Sequence, residues 1–150
     1  LTAAQMNQVE VNIRDHQHGV GGVFDQAAVQ ADQEAGTSIL LYVTSGRQHY
    51  HPSAAKGWCQ ATVAGGATTS YNVSSVTDGG TGDATINWST DFSSANYCVV
   101  ANTLSNSTLH EQITVTSFGA GTTRVVSVTV AATPVATDPT NHLVVAFGDQ

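Results

Sequence analysis

Charged side chains are scarce in this chain. Asp, Glu, Lys and Arg make up 10 % of its 150 residues, against about a quarter in an average domain. Arg14, Arg47, Lys56 and Arg124 are the only fixed cations. They are too few and too dispersed to neutralise a nucleic acid backbone or to hold the chain on an anionic membrane surface. The net charge of −7 therefore reflects missing bases rather than abundant acids. No apolar run approaches the ~20 residues of a membrane helix. No basic-apolar leader follows Leu1, so neither membrane insertion nor a signal peptide is expected. Cys59 and Cys98 are the only cysteines, which excludes a disulfide framework. They are expected as buried strand residues, or as one bridge if their Cα atoms lie within about 7 Å. Also missing are a G-x-S-x-G elbow, an H-E-x-x-H helix, a phosphate loop and a dinucleotide fingerprint. Asp78 and Asp83 bracket a glycine-rich loop, but with so few other oxygens they read as turn residues rather than calcium ligands.

Thr, Ser, Ala, Val and Gly fill the remaining space. At 41 % apolar the chain is not compositionally disordered, and its β-branched content favours strands. Three segments are expected: a helix with a His-x-His end (1–18), a linker or arm with a short strand (19–53) and a β-sandwich (54–150). At the start, Thr2 and Gln5 fit a capping box, with Leu1 and Met6 at the staple positions. Met6, Val9 and Ile13 form a narrow seam that suits self-association of three identical helices; a helix lying on its own domain is the plainer alternative. Residues 25–36 read as an irregular arm or weak helix, and 37–44 as a short apolar strand. Beyond residue 54 about seven short strands are expected, near 57–63, 69–73, 84–88, 96–101, 112–117, 123–130 and 142–147. Tyr71 and Val73 are placed on one face. Residues 76–83 are read as a turn, and 96–101 as a central strand because it is apolar on both faces. The fold class is mainly β: an antiparallel sandwich after a short helix and extended linker, in a trimer.

Two His-x-His pairs stand out. In extended chain, residues i and i+2 face the same way, so His16 and His18 can aim two imidazoles at one point. Two ligands do not complete a site, but three chains about an axis supply six, an octahedron suited to iron or another first-row metal, one ion per trimer. Two solvated histidines in a glycine-rich linker are the alternative. His49 and His51 precede Pro52, which favours an extended His51. Beside Tyr50, this pair reads as a packing element at the mouth of the sandwich.

The stretches "HPSAAKGWCQ" (51–60) and "YNVSSVTDGGTGDATIN" (71–87), with "FSSANYCVVA" (92–101) and "VAFGD" (145–149), resemble a β-domain of tail fibre and related virion proteins of tailed bacteriophages. Gly57, Cys59 and Cys98 depart from the small or β-branched residues expected there. "LTAAQMN" and "DHQHG" are similar to openings of phage fibre and baseplate proteins. The resemblance implies a non-enzymatic virion structural protein, a homotrimeric tail fibre or spike component involved in host attachment. It would join other virion proteins through its N-terminal segment and contact host cell-surface glycan or protein through turns such as 78–83, 104–108 and 118–122. It also implies His16 and His18 as candidate axial ligands. A capsid decoration or head fibre protein is the alternative, and a glycan-cleaving depolymerase a more distant one.

Overall fold

The computed structural model of the chain describes residues 2–6, 27–37, 41–105 and 110–150. The chain divides into two compact units, 1–51 and 52–150.

In the first unit, residues 3–6 form a helical turn. Its cap is reciprocal: the Gln5 N–H donates to Thr2 Oγ1 (3.3 Å) and the Thr2 N–H to Gln5 Oε1 (2.8 Å), so both orphan donors of the turn are satisfied. Helix α1 (Gln30–Ala35) is a single short element within the expected arm. The Asp32 carboxylate accepts from the Val29 N–H (2.9 Å), and Gly36, at φ 61°, closes the C-terminus with its N–H on Asp32 O. Ser45–Tyr50 is a 3₁₀ turn. Arg47 donates to Ala27 O (3.1 Å), and Gln33 donates to Arg47 O (2.9 Å), tying helix and turn together. Of the short strand expected at 37–44, the described part shows one parallel bridge, Tyr42 to Ala27.

The second unit is two antiparallel four-stranded sheets packed face to face. The strands are β1 (Gly57–Thr62), β2 (Gly66–Tyr71), β3 (Val73–Gly80), β4 (Asp83–Trp88), β5 (Cys98–Leu104), β6 (Glu111–Gly119), β7 (Thr122–Thr129) and β8 (Asn141–Phe147). One sheet runs β2-β1-β8-β5 and the other β3-β4-β7-β6. Alternation places Cys59 and Ala61 of β1 and Val144 and Ala146 of β8 against Ile86 and Val125 of the facing sheet. Gly57 is small for a reason: a Cβ there would meet the Trp88 ring at 2.5 Å, so the indole lies directly on its backbone.

Several strand expectations need correction. Tyr71 and Val73 do not share a face. Asn72, at φ 57°, turns the chain between them, so Tyr71 ends β2 in one sheet and Val73 opens β3 in the other. Residues 76–80 are strand rather than turn, because Val76, Thr77 and Asp78 pair with Ile86, Thr85 and Ala84. The reversal shrinks to Thr81-Gly82, with Gly80 (φ 106°) and Gly82 (φ 73°) supplying the left-handed conformations. Among the described residues, strand β5 is not central but an edge, paired only with β8. Its apolar outward residues are exposed rather than covered. The cysteines are both free, Cys59 buried and Cys98 exposed, so the expectation of two buried residues fails at Cys98.

Candidate functional site

Of the residues singled out by sequence, His16, His18, Val9 and Ile13 lie outside the described residues. Met6 is exposed on the N-terminal turn. His49 lies inside the 3₁₀ turn, and His51 follows in extended conformation (φ −63°, ψ 133°). The two imidazoles therefore do not share a face as an extended pair would, since a 3₁₀ turn rotates successive residues by a third of a circle. His49 packs on Tyr50 instead, with ring centroids 4.1 Å apart. Among the described residues no three His, Cys, Asp or Glu side chains converge to hold a metal ion.

The residues of the 51–60 and 71–87 stretches make fold-building contacts. Asn72 donates from Nδ2 to Lys56 O (3.0 Å) and Thr90 O (3.1 Å), and its Oδ1 accepts from the Thr90 N–H (2.7 Å). One side chain thus pins the corner, the start of β1 and the end of β4. Ser74 donates to Asn87 O (3.0 Å) across the β3–β4 pair. Asp78 Oδ1 accepts from the Gly80 N–H (2.7 Å), an Asx turn. Asp83 accepts from Arg124 Nε (2.9 Å) and pairs with its Nη2. That hydrogen bond is the main cause holding the Asp83 carboxyl below its usual range. Asp78 and Asp83 are thus each engaged separately, as turn residue and strand ion pair.

Sequence inspection did not find the polar cluster buried at one end of the sandwich, because its members are dispersed along the chain. Ser127 on β7 and His142 on β8 are both buried, with Ser127 Oγ 3.1 Å from His142 Nε2. Ser127 Oγ also lies 2.7 Å from Thr137 O. A carbonyl only accepts, so the serine hydrogen points there, and the serine lone pair receives Nε2–H of the imidazole. His142 Nδ1 is left as a buried acceptor without a hydrogen-bond partner, as is Glu111 Oε2. Gly82 completes the cluster. Its N–H donates to Asp138 Oδ1 (2.6 Å) and its carbonyl accepts from the Ser127 N–H (2.8 Å). Burial holds the His142 imidazole below its usual pKa range, against the upward pull of Asp138, Glu111, Asp83 and a hydrogen bond to the Gly82 backbone. A nucleophilic serine directs its hydrogen at the histidine. Here the direction is reversed and the pair is sealed from solvent, so the arrangement is a structural polar plug.

At the opposite end Trp88, Phe92, Tyr97 and Phe118 form an aromatic group, with Phe92 and Tyr97 stacked at 3.9 Å. The Tyr97 hydroxyl reaches Thr122 O (2.7 Å), and Trp88 Nε1 donates to Thr123 Oγ1 (3.2 Å). The turns expected to meet a receptor are thereby separated. Residues 78–83 and 104–105 lie at the His142 end, where Thr140 N–H donates to Leu104 O, and 118–122 at the Trp88 end. Residues 106–108 lie outside the described residues.

The two sheets differ in charge. In the β3-β4-β7-β6 sheet each strand carries one charged residue: Asp83 and Arg124 pair on the outer face, Asp78 stands opposite the inward Ala84, and Glu111 buries its Oε2. In the β2-β1-β8-β5 sheet no strand contains Asp, Glu, Lys or Arg. Comparison with known proteins gives no match to a family model, to a curated protein or to a solved structure.

Proposed function

We propose that this chain is a non-enzymatic structural protein of a tailed bacteriophage particle, a trimeric tail fibre or spike component that takes part in host attachment. One observation carries the reading. Two of the stretches that resemble phage β-domains, 51–60 and 71–87, meet in space. Asn72 of the second donates to Lys56 O of the first, and Trp88, next to the second, lies on Gly57 of the first. The resemblance thus falls on a packed unit, β1 with the β3–β4 hairpin, rather than on scattered short matches. Sequence segments that build one corner together are retained or lost together, which makes chance similarity in both a poor account of them.

In this reading the sandwich is the exposed module, and the N-terminal segment joins the copies to each other and to other virion proteins. His16 and His18 are its candidate metal ligands. The test is location. Purified particles of the phage encoding the chain should contain it by mass spectrometry, and antibodies against residues 52–150 should decorate the tail and block adsorption. Decoration of the head would favour the capsid-fibre alternative. Absence from particles would sink both.

A further inference from the structure

We propose that the outer face of the β2-β1-β8-β5 sheet is the surface through which copies of this chain pack on one another. Strand register sets Tyr71, Trp58, Val145 and Val100 side by side in one row across all four strands. Leu143 and Leu104 stand in the rows toward the His142 end. Within this patch Val100 is 60 % exposed, Tyr71 50 %, Leu104 44 % and Trp58 37 %. Single exposed apolar residues are ordinary on a protein surface, but a contiguous patch of them marks an interaction site. The companion sheet shows what a solvated outer face looks like in the same molecule: Asn87 donates to Ser75 Oγ and Thr77 Oγ1, and Arg124 pairs with Asp83.

The charge pattern selects the occupant. Copies of a chain with net charge −7 repel one another over most of their surfaces. The charge-free sheet is a broad face on which they can meet without opposing like charges. A foreign partner is steered and discriminated by charge complementarity, and this face offers nothing to read. Strand β5 adds a second indication. It is an edge strand with exposed Cys98, Val100 and Leu104 and no charged residue, lacking the usual protection against pairing with another chain.

Four strands about 4.8 Å apart, of six or seven residues each, give a face of roughly 19 Å by 20–23 Å. That is about half of the ~800 Å² per partner in a standard stable interface. The sandwich alone is then a weak associator, and anchorage of the same chains through their N-terminal segments raises its effective concentration. The inference rests in this respect on the trimeric reading above.

Cys98 is a built-in reporter, lying two residues from Val100 on the same face, while Cys59 is silent, being buried with its thiol pushed up to about 11. The full chain is treated with iodoacetamide over a dilution series while its mass is followed by light scattering, for wild type, Val100→Asp and Tyr71→Asp. Val100→Thr, which keeps a β-branched neutral residue, serves as the folding control. The expected result is a wild-type multimer whose Cys98 reacts at least tenfold more slowly than in Val100→Asp and speeds up on dilution. A multimer with fully reactive Cys98 overturns the assignment of this face while leaving the fibre reading intact. A monomer at all concentrations overturns both the face and the trimer. Cys98 reactive in the pure chain but protected on intact particles assigns the face to a different virion protein and also overturns the proposal. If both aspartate variants unfold by circular dichroism, the wild-type dilution series alone decides.

Discussion

His142 shows how a single buried group ties the fold to pH. Burial disfavours the charged form of its imidazole in the folded chain, where Nε2 lies against Ser127 Oγ. Because burial lowers its folded pKa, the unfolded chain takes up a proton below about pH 6.5 ahead of the folded chain. Stability is therefore expected to fall as pH drops from 7 to 5, with a limiting slope from this group of about 1.4 kcal/mol per pH unit. Asp138, Glu111 and Asp83 face it from neighbouring segments and soften the effect without reversing its direction. Urea denaturation at pH 7, 6 and 5 should show a decline in the wild type that is visibly flatter in His142→Gln. Equal slopes would remove His142 as the cause. Asp83 acts in a lower window: Arg124 depresses its pKa, so its contribution is present above the ordinary carboxylate range and lost as pH falls through the depressed value. Arg124 is half-exposed, which keeps that contribution small.

Between the sheets, the corner at Asn72 is the element on which most depends. Its left-handed backbone and three side-chain hydrogen bonds join β1, β2, β3 and the end of β4. Asn72→Ala should cost about 1–3 kcal/mol, from roughly 1 for the left-handed conformation, about 0.5–1 for the partly buried hydrogen bond to Lys56 O and less for each of the exposed ones to Thr90. Asn72→Gly should recover the backbone share alone. Chemical denaturation of both variants measures the split, and equal losses would put the whole effect in the side chain. This corner also shows where sequence reading stops. The strands at 57–62, 83–88, 122–129 and 141–147 follow from alternation, and the Thr2–Gln5 cap from its spacing. The switch between sheets at Asn72 does not, because one left-handed residue inside an apolar-polar run leaves the period intact. Strand β5 misled for a related reason: apolar residues on both faces usually mean burial on both, and here one of those faces is bare. The Ser127–His142–Gly82 cluster was invisible because three distant strand ends create it. At His49 local geometry decided, since a 3₁₀ turn breaks the two-residue period that Pro52 favours only at His51.

The molecule as a whole is ordered across its sheets rather than along its sequence. One sheet joins the first two strands to the fifth and the last, and the other holds the third, fourth, sixth and seventh. The placement of β8 sets a schedule. The last strand lies between β1 and β5, so until residues 141–147 pair, β1 lacks one neighbour, β5 lacks its only one, and Ile86 and Val125 have no complete facing layer. A topology so dependent on distant pairing refolds on the millisecond-to-second scale of all-β domains. Stopped-flow tryptophan fluorescence, reporting on buried Trp88, should give rates in that range, and a chain ending at residue 140 should lack the cooperative melt of the full one. A truncated chain that melts cooperatively would contradict this order of events. During synthesis β1 and β5 must therefore wait for β8 while the other sheet can already pair, and that wait is the interval in which neighbouring nascent chains are most exposed to mispairing through these two strands.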